Sequence, residues 1–230
     1  ASFDASGRLT VHSQQTSIFW ARSDVARVMN MPENMVRVIQ SPTAGGHFGS
    51  GNATPRRHFI ASLLARKAWR PVKIANTREE EFVSVYPMMP VIIEVKMGVK
   101  KDGTIIAKQT RVIGDSGAYF SIIAMSILSV AMIRHESLYR FNNLKTEAFL
   151  VYTNRIPTCS LRGFGNQAGH FALESMMDQL AEGIGMDPAE IRLKNAIQTG
   201  DTSVHGWVIR SSGLTECIQK STESAGWKAK

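Results

Sequence analysis

Two glycine loops carry the residue types best suited to hold a ligand: Gly45-Gly46-His47-Phe48-Gly49-Ser50-Gly51 and Arg162-Gly163-Phe164-Gly165-Asn166. Glycine has no Cβ, so backbone N–H groups can approach a bound group closely, and a helix opening after such a loop adds a positive dipole. The first loop lacks the GK[ST] ending of a nucleotide P-loop. Neither fits GxGxxG, since the glycine after Gly163 and Gly165 is Gly169. Taken singly, each loop reads as a structural turn. Two of them, each containing Phe-Gly and each running into a helical pattern, point to a cradle for an anion or cofactor. Arg162 precedes the second loop and either grips an anionic ligand with two parallel hydrogen bonds or pairs with a surface carboxylate.

Other chemistry is less well supported by spacing. The histidines (12, 47, 58, 135, 170 and 205) form no HExxH and no metal-ligand pattern, and read as scattered surface or core residues. No GxSxG elbow exists to present a nucleophilic serine. Cys159 and Cys217 lie 58 residues apart without a CxxC pair, which excludes a zinc ribbon or a disulfide framework and suits reduced thiols in the cytoplasm. Met88, Met89, Met176 and Met177 read as core packing.

The elements that must position these residues alternate in type. Arg8–Ser13 alternates as a strand, Val25, Val28 and Met29 recur at helical spacing from about Asp24, and Met35–Gln40 alternates again before Ser41-Pro42. A helix opening at Thr54-Pro55 would put Phe59, Ile60, Leu63 and Leu64 on one face. Residues 90–113 form a hairpin around Asp102-Gly103, and Glu147–Thr153 is another strand. The best helix follows Gly165, with Leu173, Met177, Leu180 and Ile184 as its apolar stripe and Gly185 as its end. Asp187-Pro188 caps a helix through Asn195, and residues 213–226 form a last one. Strict βαβ alternation is missing, so the expected class is α+β, with mixed sheets and packed helices.

Composition sets the outer bounds. The 230 residues are 43% hydrophobic and carry 27 Lys+Arg against 19 Asp+Glu, a net charge of +8, as in an ordinary folded protein. The basic residues form no long tract, so they read as a solvated surface; a basic binding module for nucleic acid or an acidic partner is the alternative. The uncharged stretch 118–133 is short for a bilayer span and contains Ser121, Ser126 and Ser129. It reads as a buried helix or the wall of an apolar cavity, and no membrane association is expected. The polar start at Ala1 lacks signal-peptide order and suggests a processed chain or a piece of a longer one.

In sequence order these motifs resemble the molybdenum-binding part of the xanthine dehydrogenase and aldehyde oxidase family, the molybdenum hydroxylases. The resemblance begins with Leu9-Thr10-Val11 leading to Ser13-Gln14-Gln15, then Met31-Pro32-Glu33-Asn34-Met35-Val36-Arg37-Val38. It continues through Gly45-Gly46-His47-Phe48-Gly49, similar to the family's GGGFGG, and through Arg70-Pro71-Val72 with Arg78-Glu79-Glu80-Glu81-Phe82. Its most specific part runs from Tyr152-Thr153-Asn154 through Leu161-Arg162-Gly163-Phe164-Gly165 to Phe171-Ala172-Leu173-Glu174. There the RGFG loop, the amphipathic helix and the D-P-x-E-x-R-x-K-N segment (Asp187 to Asn195) recur in order.

The resemblance implies that residues 1–230 are one half of a molybdopterin-binding region. The cofactor would be molybdenum-molybdopterin in its cytosine dinucleotide form, used to hydroxylate an aromatic heterocycle or aldehyde with water-derived oxygen. Gln15, or its neighbour Gln14, matches the glutamine whose amide contacts an oxo ligand. Gly46, Phe48 and Gly49 match the loop beside the metal, while Arg162, Gly163 and Phe164 match the second cofactor-facing turn. No side chain here is expected to bind molybdenum directly. The family's glutamate base belongs to a later segment not found after Asn195, so the chain is expected to be a fragment or one subunit of a split molybdenum protein, inactive alone. Implied partners are a second molybdopterin-binding segment or subunit and iron–sulfur and FAD-bearing subunits or domains, in a cytoplasmic hetero-oligomer. Val130 stands near the place of the substrate-orienting arginine of the xanthine-oxidising branch, with Arg134 displaced from it. Gly163 stands where the carbon monoxide-oxidising branch has a cysteine. Both departures argue against those branches. His47 and Ser50 replace loop glycines and motivate a third reading, a structural relative that has lost the cofactor.

Overall fold

The computed structural model describes residues 1–42 and 55–229, which divide between two compact units, residues 1–88 with 155–162 and residues 89–154 with 163–230. The described residues contain helices and two three-stranded mixed sheets, an α+β fold.

In the first unit, β1 (Ser2–Phe3) runs antiparallel to β2 (Leu9–Ser13), which pairs in parallel with β3 (Val36–Gln40) in the register Leu9↔Val36 to Ser13↔Gln40. The parallel pair is joined by α1 (Ile18–Met29), because parallel strands need a crossover long enough to return the chain. The Ser17 hydroxyl caps α1 by accepting from the Trp20 N–H. Asn30 ends it in the left-handed conformation (φ 51°), a position asparagine tolerates. The helix starts six residues before the apolar spacing suggested, and Val28 faces solvent while Ala21, Val25, Ala26 and Met29 pack on Leu9, Val11, Val36 and Val38.

The next helix, α2 (Arg56–Ala68), corrects the expected face. Pro55 sits before the first turn in extended conformation, and His58, Ala61, Ser62 and Ala65 are buried, while Ile60, Leu63 and Leu64 are exposed. Small side chains let the helix approach closely, so of the expected stripe Phe59 packs against the core while Ile60, Leu63 and Leu64 are left outside. The acidic run after Arg78 forms α3 (Arg78–Ser84), a helix that apolar periodicity could not reveal. Its signal is a capping box: the Glu80 N–H donates to Thr77 Oγ1 and the Thr77 N–H to Glu80 Oε2.

In the second unit, β4 (Val91–Val99) and β5 (Ile105–Gly117) form the expected hairpin, with Gly103 at φ 84° in the turn. The chain then passes through α4 (Ile122–Ile133) to β6 (Asn143–Tyr152), which pairs with β5 in parallel. Ser121 caps α4, and Ser126 and Ser129 donate to the carbonyls of Ile122 and Met125 one turn back. Those local bonds let serines sit in an otherwise apolar helix. Ile123, Ala124, Ile127, Leu128 and Ala131 enter the core, whereas Ile122 and Met125 are exposed. Among the described residues, no helix is long and apolar enough to cross a membrane.

The remaining helices are α5 (Asn166–Ile184), α6 (Pro188–Asn195) and α7 (Leu214–Ser224). Leu173, Met177 and Ala181 of α5 are fully buried with Ile105, Tyr139, Phe141 and Ile191, while Leu180 and Ile184 pack on the edge of that cluster. The D-P-x-E-x-R-x-K-N segment proves to be structural cement. Asp187 caps α6 through the Ala189 and Glu190 N–H groups. Arg192 donates to Glu174 at 2.7 Å and bridges Asp178 at 2.8 Å on α5. Buried Asn195 accepts from the Ile105 N–H and donates to the carbonyls of Gly103 and Ile191.

Candidate functional site

The first unit places Ser13-Gln14-Gln15 at the C-terminal end of β2, where it lies beside the end of β3 and the Ser41 N–H donates to the Ser13 carbonyl at 3.1 Å. Carboxyl ends of parallel strands are where open α/β sheets receive ligands. Gln15 is buried (4% exposed) and Gln14 is exposed. The Ser13 hydroxyl contacts Nε2 of His58, which α2 carries in from 45 residues away, and donates to the Gln14 carbonyl at 3.3 Å. Burial, helped by the positive charges of Arg57 and the N-terminus, lowers His58 from its usual value to about 4, so its ring is neutral at physiological pH. Gly46, Phe48 and Gly49, together with His47, lie outside the described residues.

Arg162 ends the second segment of the first unit. Thr158, Cys159 and Ser160 are buried, and the Cys159 N–H donates to the Pro87 carbonyl at 2.8 Å. The chain is thereby anchored just before Leu161 and Arg162 emerge at the surface. Burial raises the Cys159 thiol above its ordinary value, which keeps it protonated and unreactive.

In the second unit, Gly163 (φ 96°), Phe164 (φ 53°) and Gly165 (φ 98°) are three consecutive left-handed residues. A Cβ on Gly165 would lie 2.5 Å from the carbonyl oxygen of Ile127, so only glycine brings the turn this close to α4. Phe164 adopts that conformation at a cost of order 1 kcal/mol. Asn166 donates to the Gly163 carbonyl at 2.7 Å and closes the turn. Helix α5, 19 residues long, then starts with no side-chain cap and no acidic residue in its first turn. A long helix starting this way offers its N–H groups and positive dipole end to an anion.

One group of charged residues was not visible in the sequence reading. Lys108 on β5 and Glu136 in the turn 134–137 are fully buried, 3.6 Å apart, too far for a hydrogen bond. Glu136 also accepts from Thr146 Oγ1 at 2.5 Å and from His205 Nε2 at 3.0 Å, and the Lys108 ammonium lies 5.3 Å from the centre of the Phe141 ring. Burial lowers the Lys108 ammonium to about 8, although Glu136 opposes the shift. The available signal was strand parity: Lys108 shares the inward face of β5 with Thr110 and Val112. Among the described residues, no three His, Cys, Asp or Glu side chains converge as a metal set.

The first unit thus carries a parallel strand end bearing amides and a surface arginine, and the second an uncapped helix start behind a turn that requires glycine, within an α+β fold. The family model described as the molybdopterin cofactor-binding domain matches residues 1–196, and the chain belongs to that family. It is 34% identical over 224 residues to the nicotinate dehydrogenase large molybdopterin subunit of Eubacterium barkeri, covering 97% of this chain and 52% of that subunit. It is 33% identical to the putative xanthine dehydrogenase molybdenum-binding subunit of Escherichia coli, covering 96% of this chain and 29% of that one. Aldehyde oxidoreductase from Desulfovibrio gigas superposes with a TM-score of 0.89 at 26% identity, over 97% of this chain and 24% of that one. Quinoline 2-oxidoreductase from Pseudomonas putida 86 superposes with a TM-score of 0.90 at 25% identity, over 99% and 30%. The chain thus spans about half the length of the first of these relatives and less than a third of the others.

Proposed function

We propose that this chain forms part of the molybdenum–pterin site of an oxidoreductase that hydroxylates an aromatic heterocycle or aldehyde, and that a further segment or subunit completes the site with a glutamate base. The observation that carries the reading is the Gly163-Phe164-Gly165 turn opening an uncapped α5 inside a matched molybdopterin-binding domain. The residues fit such a group: the turn needs glycine where it meets Ile127, and the helix start carries no competing acid.

When bound, the cofactor supplies the two-electron chemistry that places a water-derived oxygen on the substrate carbon. The chain's own part is to bind and orient. Arg162 contributes a fixed positive charge and a planar donor set for anionic oxygens. The backbone of the 163–165 turn and the α5 dipole add to that charge without reorganising. Gly46, Phe48 and Gly49, of the first glycine loop, are assigned to cofactor binding as well. Of the two glutamines, Gln14 lies at the surface and Gln15 inside the first unit. The amide that meets the cofactor is assigned to Gln15, with its neighbour Gln14 as the alternative one residue away. Five residues of α4 serve the core, which leaves exposed Ile122 and Met125, with Tyr119 and Phe120 just before the helix, as the segment's contribution to an apolar substrate wall.

The cytosine dinucleotide form of the pterin, iron–sulfur and flavin partners and a cytoplasmic location complete the proposal. Nothing in the fold or the family favours a nucleic-acid-binding module. Metal and pterin analysis of the full-length protein, purified with its neighbours, tests the reading. Stoichiometric molybdenum and a pterin dinucleotide are expected; an intact assembly containing neither would establish the cofactor-free alternative.

A further inference from the structure

The Ser13–His58 contact pairs a hydroxyl with an imidazole, the arrangement from which a nucleophile and its base are built, so its chemistry has to be decided. A catalytic dyad needs a third group to orient the ring. Among the described residues, His58 Nδ1 is buried and has no hydrogen-bond partner. The serine hydroxyl has one proton to give. If that proton goes to His58 Nε2, the ring must carry its own on Nδ1, a buried N–H without an acceptor among the described residues. If it goes to the Gln14 carbonyl, 3.3 Å away, Nε2–H donates to Ser13 Oγ and Nδ1 keeps only a lone pair. The second arrangement strands an acceptor and not a donor, which is the less costly defect. The serine oxygen is then already engaged and is not activated for attack.

We propose that His58 is a positioning residue for the cofactor-facing end of β2: its Nε2–H fixes the Ser13 hydroxyl, which fixes the Gln14 peptide and so the direction of the Gln14 and Gln15 amides. The inference deepens the molybdenum–pterin reading and rests on it for the purpose of the segment, though not for the contact itself. His58 suits the task because α2 buries it: it is 7% exposed and lies within a helix that packs small side chains inward. A second tie strengthens the same helix, since Arg66 donates to the Met29 carbonyl at 3.1 Å at the end of α1. The strand end is therefore set from a helix 45 residues further along.

Two variants separate the role from simple filling of space. Glutamine places an amide N–H near the position of Nε2, whereas leucine fills the volume without a donor. In the full-length protein, hydrogen exchange of the peptide covering residues 11–17 should speed up about tenfold in His58→Leu and in Ser13→Ala, and return to within about threefold of the parent in His58→Gln. Peptides from β4 and β5 should not change. The same three proteins, with metal content measured, should show an altered molybdenum(V) paramagnetic signal and a lower kcat at unchanged KM in His58→Leu, with both restored in His58→Gln. Unchanged exchange in His58→Leu, or equal effects of leucine and glutamine, overturns the assignment. Protein that shows the exchange pattern but holds no molybdenum keeps the positioning of the strand end and overturns the function proposed for the site.

Discussion

The carbonyl oxygen of Ile127, in the middle of α4, lies where the side chain of any residue other than glycine at position 165 would begin. The turn that opens α5 is thus fixed by backbone-to-backbone approach, and Gly165 also needs its positive φ of 98°. Gly165→Ala should cost about 2–4 kcal/mol, the sum of a left-handed alanine and an overpacked contact. Gly185→Ala is the control. Gly185 ends the same helix at φ 70° with nothing near its would-be Cβ, so only the conformational penalty of about 1 kcal/mol should appear. Urea unfolding of the two variants checks the difference.

The buried pair Lys108–Glu136 makes a prediction in both sequence and pH. Removing one partner strands a buried charge, so Lys108→Met should cost about 3–5 kcal/mol, and the double change Lys108→Met with Glu136→Gln should cost less than the sum. Lys108 titrates at about 8 in the folded chain, against about 10.4 when unfolded. Between those values the unfolded chain binds more protons, so this lysine makes stability rise with pH from about 8 to 10. Denaturant midpoints measured across that range should climb in the parent relative to Lys108→Met; parallel profiles would show that Lys108 does not titrate there.

His58 acts in the same sense at lower pH. Its folded value of about 4 lies below the usual 6.5. Its contribution is complete above pH 6.5 and is lost as pH falls toward 4, by about 3 kcal/mol at most. His58→Gln should flatten the stability profile of the parent between those values in urea titrations.

Asn195 was legible in the sequence as part of a motif, but its purpose was not. Its buried amide joins α6 to the turn of the β4–β5 hairpin through two hydrogen bonds, to Ile105 and Gly103, and makes a third to Ile191 within α6. Asn195→Ala should cost about 2–4 kcal/mol, since buried partners are left unpaired. It should also raise hydrogen exchange at Ile105 first.

These cases show what the sequence carried. Caps and glycines act locally, so Asp187, Gly103 and Gly185 marked their turns correctly. The apolar stripe of α2 misled because burial is decided by the neighbour: Ala61 and Ala65 allow close approach, and the bulky Leu63 and Leu64 do not. The Lys108–Glu136 pair and the Ser13–His58 contact join residues far apart in the chain, and no local spacing encodes such a meeting. Gln14 and Gln15 are adjacent, and a motif match that can slide by one residue does not choose between them.

Arg162 offers the last test, because its proposed role and its structural role make opposite predictions. Its side chain is at the surface, beyond the buried Thr158–Ser160 anchor. Arg162→Ala should therefore change the stability of cofactor-free protein by no more than about 0.5 kcal/mol. If the guanidinium meets an anionic cofactor, the same change should lower molybdenum and pterin content severalfold in the full-length protein. Arg162→Lys should recover it only in part, since an ammonium keeps the charge but loses the planar pair of donors. Stability lost without any loss of cofactor would make Arg162 a structural residue and move the site's positive charge to the 163–165 turn and the α5 N-terminus alone.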